Sequence, residues 1–67
     1  MVKNITDYGK RIKLLLVVNG QNQNWLIEQV RSKTGLYFDS SYLHKIMIGT
    51  EKNEKVTAAI NEILGIN

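Results

Sequence analysis

The sequence contains no cysteine, no proline and a single histidine, and aromatic residues make up only 7% of its 67 positions. Without cysteine there is no disulfide framework and no thiolate metal site. With His44 alone there is no histidine pair to hold a metal. The absence of cysteine fits a reducing cytoplasm. Long apolar runs are also missing: the longest, Leu14-Leu15-Leu16-Val17-Val18, falls far short of the roughly 20 residues that span a bilayer. Met1 to Tyr8 is polar and carries no secretory signal, and there is no tag or low-complexity tail. The chain therefore reads as a soluble cytoplasmic domain, complete or nearly so, with no membrane partner.

What is present is a globular composition, 43% hydrophobic, in a length that allows one domain, residues 1–67, and no second. A chain this short buries only about 60% of its unfolded surface, so its core is thin. The net charge is +3, unevenly placed. Residues 1–33 carry Lys3, Lys10, Arg11, Lys13, Arg31 and Lys33 against Asp7 and Glu28, a net +4. Residues 34–67 carry Lys45, Lys52 and Lys55 against Asp39, Glu51, Glu54 and Glu62, a net −1. A basic first half suits a polyanionic partner, although many small soluble proteins are equally basic.

Apolar periodicity and end signals predict an all-α chain, a compact bundle of four to five short helices. Tyr8, Ile12, Leu15 and Leu16 recur at helical spacing over about Thr6 to Val18, with Thr6 or Asn4 as cap and Asn19-Gly20 as the end. A second helix opens at the capping residue Asn22, carries Trp25, Leu26, Ile27 and Val30, and stops at about Thr34 before Gly35. A third starts at Asp39, Ser40 or Ser41 and runs to Ile48, with Leu43, Ile46 and Met47 at i, i+3 and i+4, and ends at Gly49. Ile46-Met47-Ile48 is locally β-favouring, but the caps and the glycine stop favour helix. The fourth spans roughly Asn53 to Leu64, with Val56, Ala59, Ile60, Ile63 and Leu64 inward and Gly65 as its stop. Between helices two and three lies Gly35-Leu36-Tyr37-Phe38, whose large apolar groups predict a loop folded back on the core, with Tyr37 and Phe38 as core plugs. Trp25 is expected to be a partly buried packing residue.

Catalytic chemistry finds no footing. Ser40 and His44 stand four apart on one helix, but a nucleophile also needs an oriented base, an oxyanion hole and a pocket. Gly9-Lys10 lacks the rest of a phosphate-binding loop. The expectation is no enzyme, no catalytic residue, no cofactor and no metal.

The stretch from Gln23 to Gly49 is more informative. Two short helices, the second opening on small polar residues and closing on glycine, have helix-turn-helix organisation, with an extended connection between the two. The second of the pair would expose Ser40, Ser41, His44 and Lys45. In such a motif the recognition helix enters the major groove. Hydroxyls there bond to several bases or to phosphate, Lys45 reaches guanine O6/N7 or a phosphate, and His44 donates or accepts at a base edge.

Gln23-Asn24-Trp25-Leu26-Ile27, then Val30, then Ser41-Tyr42-Leu43-His44-Lys45-Ile46-Met47-Ile48-Gly49 resembles the Cro/lambda-repressor (XRE-type) DNA-binding family. That family's pattern is Gln-x-x-Leu-Ala, a turn Gly, then Ser-x-x-Tyr-Leu-x-x-Ile-x-x-Gly. Val56 to Ile66 resembles its closing helix, so the resemblance runs from about Tyr8 to Ile66. It implies that Gln23 contacts backbone phosphate and braces the recognition helix. It further implies that Ser40, Ser41, His44 and Lys45 face the groove, and that Thr50, Lys52 and Asn53 lie along the phosphates. Two departures stand out. The chain is about six residues longer than usual between Val30 and Leu43, with Arg31 where the turn glycine falls and Gly35 four later. Ile27 also stands where the family has Ala. Helix two is therefore expected to be a turn longer and the connection larger.

The resemblance implies a sequence-specific regulator of double-stranded DNA, of the small phage or mobile-element repressor type. Phosphate contacts would supply much of the affinity and the recognition helix the discrimination. Lys10, Arg11 and Lys13 stand open between a solvated and a phosphate-facing role. Any homodimer is expected to form through the domain surface, with helix four and Ile66 as candidates, or only on DNA. The alternative is a protein-binding modulator or antirepressor with the same fold, supported by the single charge on the recognition helix and by an apolar patch expected at Met47 and Ile48.

Overall fold

Each helix begins where a short polar side chain can take up a backbone N–H that the first turn leaves without a partner. The computed structural model describes residues 5–66 and contains α1 (Asp7–Val18), α2 (Gln23–Thr34), α3 (Ser40–Ile48) and α4 (Glu54–Leu64). Thr6 Oγ1 accepts from the Gly9 N–H at 3.1 Å, Asn22 Oδ1 from Trp25 at 2.9 Å, Asp39 Oδ1 from Tyr42 at 2.8 Å and Asn53 Oδ1 from Val56 at 3.2 Å. At the other ends, α2, α3 and α4 close on Gly35, Gly49 and Gly65 in the left-handed conformation, and α1 closes on Asn19. Gly49 (φ +83°) lets the chain reverse so that the N–H groups of Thr50 and Glu51 both return to the Lys45 carbonyl, at 3.0 and 3.3 Å. A side chain there would be strained.

Among the described residues there are four helices and no strand, so a fifth helix is not present there. Ile46-Met47-Ile48 is helical, its β preference overridden by the Asp39 cap and the Gly49 stop. α2 continues through Arg31 to Thr34, the longer helix expected from the wide spacing, and Gly35–Asp39 forms the connection to α3.

α2 packs most extensively on α4, and α1 packs on α3. Their inward faces merge into one core containing Ile12, Leu16, Leu26, Val30, Leu43, Met47, Val56 and Ile60. Ile27, in the place where the resembled family has alanine, is buried and accommodated. Trp25 is half-buried against the core, and Ile63, expected inside, is half-buried as well. α1 approaches α3 closely at Gly9: a Cβ there would collide with the Met47 carbonyl oxygen and with Ile5 Cγ2.

The connection corrects one expectation. Phe38 is the plug, 1% exposed, with its ring 5.1 Å from that of Tyr42. Tyr37 is not: it is 74% exposed. Of these two adjacent side chains in an irregular connection, only Phe38 reaches the core. A second correction concerns Met47, which is 2% exposed and belongs to the core, with Ile48 half-buried. Met47 lies on the α3 face that packs under α1, so it contributes nothing to a surface patch.

Candidate nucleic-acid interface

The side of α3 opposite Leu43, Ile46 and Met47 is the surface of interest. Helical spacing puts Ser40, Ser41, His44 and Lys45 there, and all four are exposed. Their side chains make no hydrogen bond or ion pair among the described residues, so their donors and acceptors are available to a ligand. Gln23, the first residue of α2, is exposed in the same way and makes no bracing bond to α3. Thr50 and Lys52 follow the end of α3 and are exposed. The Thr50 hydroxyl is turned back, donating to the Lys45 carbonyl at 3.3 Å.

Asn53 is differently placed. Its amide oxygen caps α4, and its Nδ2 donates to Tyr42 Oη at 3.1 Å. Both ends of the side chain are therefore committed to holding α4 against α3. The exposed row on α3 is brought together by the fold, Thr50 and Lys52 extend it, and Asn53 serves the scaffold.

Asp39 and Tyr37 add a feature that pattern reading did not single out. The Tyr37 hydroxyl donates to Asp39 Oδ2 while Oδ1 accepts from the Tyr42 N–H, at the entrance to α3. These bonds, the Tyr37 hydroxyl foremost, hold the Asp39 carboxyl below the usual carboxylate range; Lys45 contributes in the same direction. The same contact raises the Tyr37 phenol above its ordinary value. Tyr37 thus stands at the surface beside the start of α3. The available signal was the capping aspartate two residues along, within reach of a tyrosine that faces outward.

The cations are spread over several faces. Lys10, Arg11 and Lys13 are exposed on α1. Lys33 is paired with Glu62 across α2 and α4 at 3.1 Å, with side chains 40% and 70% exposed, a contact of small energetic weight. Beside the α3–α4 loop an open cleft of about 620 Å³ is lined by Thr6, Tyr8, Lys52, Asn53, Glu54 and Asn61 among others. In its wall the Tyr8 hydroxyl donates to Asn61 Oδ1 at 2.6 Å. Glu51 and Glu54 beside Lys52 give this cleft a mixed sign rather than an anion-binding one.

No helix among the described residues is long and apolar enough to cross a membrane, and none of them form a cluster of three or more His, Asp or Glu able to hold a metal ion. Comparison with protein-family models, curated proteins and solved structures returned no match.

Proposed function

We propose that the chain is a sequence-specific double-stranded DNA-binding regulator that inserts α3 into the major groove. The observation that carries this reading is the row Ser40, Ser41, His44 and Lys45, exposed and uncommitted on a short helix whose other side is locked into the core. α2, the Gly35–Asp39 connection and α3 are read as a helix-turn-helix with a lengthened turn. In that frame Ser41 and Lys45 face base edges, His44 adds a donor or an acceptor, and Gln23 is directed at backbone phosphate. Thr50 and Lys52, past the end of α3, track the phosphates alongside. No step in this activity needs a cofactor, a metal or catalysis. The antirepressor alternative loses Met47 from its apolar patch, because Met47 is internal, and keeps the single charge on α3 as its support.

Selection from a random-duplex pool, repeated at higher salt, tests the proposal. A recurring motif that survives the salt step is the expected result. Binding that is unselective and disappears with salt would reveal only a basic surface. In the selected duplex, Ser41→Glu with Lys45→Glu should abolish binding without unfolding the chain, since both sites are exposed. An operator complex that survived those changes would remove α3 from the groove.

A further inference from the structure

The outer face of α1 is the feature that neither the core nor the α3 surface explains. Leu14, Val17 and Val18 are 62%, 75% and 69% exposed, and they fall at i, i+3 and i+4, one contiguous stripe. Single apolar residues at a surface need no explanation, but this stripe runs against local preferences. Two of its members are β-branched and lie in a helix, where an exposed valine is less favourable than lysine, arginine or glutamate. The last turn of α1 also carries no basic residue, although a cation there would complement the negative end of the helix dipole.

The cations of α1 are all upstream of the stripe, at Lys10, Arg11 and Lys13. This polarity decides the occupant. We infer that the stripe is the contact for a second copy of the chain, the two α1 helices crossing antiparallel about a two-fold axis. In that register Leu14 of one copy meets Val17 and Val18 of the other. Lys10 and Arg11 then lie over the C-terminal end of the other copy's α1, which has no basic residue of its own, and the contact repeats by symmetry. A parallel pair would instead oppose Lys10 to Lys10 and bring no cation to either C-terminal end. The three side chains expose an apolar area of a few hundred Å², on the order of the largest patch on a typical monomer. That is less than the roughly 800 Å² per partner of a stable interface, so the pair is weak and concentration-dependent. The inference rests on α1 alone and is independent of DNA binding.

Sedimentation equilibrium of the full chain between about 10 μM and about 1 mM should show a reversible monomer–dimer equilibrium within that range. Leu14→Lys and Val17→Lys should each shift it toward monomer by about tenfold or more, with unchanged helical content and an equal or higher Tm. A chain that stays monomeric at about 1 mM would overturn the proposal, as would a dimer indifferent to both substitutions. The natural chain has no cysteine, which makes orientation easy to read. An oxidised mixture of Lys10→Cys and Gln21→Cys chains should give mostly the mixed disulfide, whereas predominance of the Lys10→Cys homodisulfide would overturn the antiparallel arrangement.

Discussion

The main-chain carbonyl of Met47 accepts two hydrogen bonds from Thr6, one from its N–H at 3.0 Å and one from its hydroxyl at 2.8 Å. The same hydroxyl oxygen accepts from the Gly9 N–H. One residue therefore starts α1 and ties it to the last turn of α3, the helix that presents Ser41, His44 and Lys45.

Thr6→Ala removes the cap and one arm of this tie together. A loss of about 1–2 kcal/mol is expected, which in a domain of this size lowers Tm by roughly 4–8 °C per kcal/mol. Thr6→Ser keeps the hydroxyl and should retain most of the stability. Urea melts of the three chains check this, and equal midpoints for Ala and Ser would show that the hydroxyl contributes nothing.

Gly9→Ala sets two effects against each other. Alanine gains about 1 kcal/mol of helix propensity over glycine, but its Cβ would overlap the Met47 carbonyl oxygen and Ile5. Backbone cannot move aside cheaply, and overpacking of this kind costs about 1–3 kcal/mol. The expected net is destabilisation, with α1 displaced from α3. A raised Tm would contradict the close approach of the two helices.

Phe38 and Tyr37 should respond oppositely to truncation. Phe38→Ala empties a site 1% exposed and should cost about 3–5 kcal/mol, much of what a domain this small possesses. Tyr37→Ala should lower the thermal midpoint far less, by no more than its exposed bond to Asp39 contributes. Circular dichroism melts distinguish the two directly.

The acid limb of stability should depend on Asp39. Its folded pKa is depressed, chiefly by the Tyr37 hydroxyl and then by the Tyr42 N–H. Its contribution is therefore present above the unfolded carboxylate value and lost as pH falls through the lower folded value, below about pH 4. Asp39→Asn, which still caps α3, should flatten that limb. Tyr37→Phe removes the largest cause and should raise the Asp39 pKa, readable by NMR titration of the carboxyl. An unmoved titration would show that the tyrosine contact does not persist in solution.

Tyr8 governs the opposite end of the pH scale. Burial raises its phenol above the ordinary value, so its contribution holds below the unfolded value of about 10 and is lost as pH rises through the folded one. Tyr8→Phe should remove the Tyr8 part of this alkaline dependence, leaving that of Tyr37, and, with the bond to Asn61, about 0.5–1.5 kcal/mol at neutral pH. Urea melts at neutral and alkaline pH measure both effects.

The exposed row of the candidate site was legible because α3 has a cap, a stop and a periodic inner face, which leave Ser40, Ser41, His44 and Lys45 on the other side. Asn53 was only half legible. Its capping role is local, but its bond to Tyr42 joins residues eleven apart in the chain, and no local pattern announces such a pairing. Met47 looked eligible for the surface because its helical position borders both faces. α1, tied to it by Thr6 from 41 residues upstream, decides the matter.

By itself the sequence determined where the helices begin and end. Thr6, Asn22, Asp39 and Asn53 cap backbone groups a few residues away, and Gly35, Gly49 and Gly65 take up the left-handed turn at the next position. These interactions are complete within one turn of chain. Tertiary structure alone decided that Phe38 enters the core while Tyr37 stays out. It also decided that Gly9 sits at a close contact between α1 and α3, and that Leu14, Val17 and Val18 stay exposed. A non-periodic loop has no face until a core exists to define one. An apolar helical residue likewise becomes core or surface only when another element comes to lie against it.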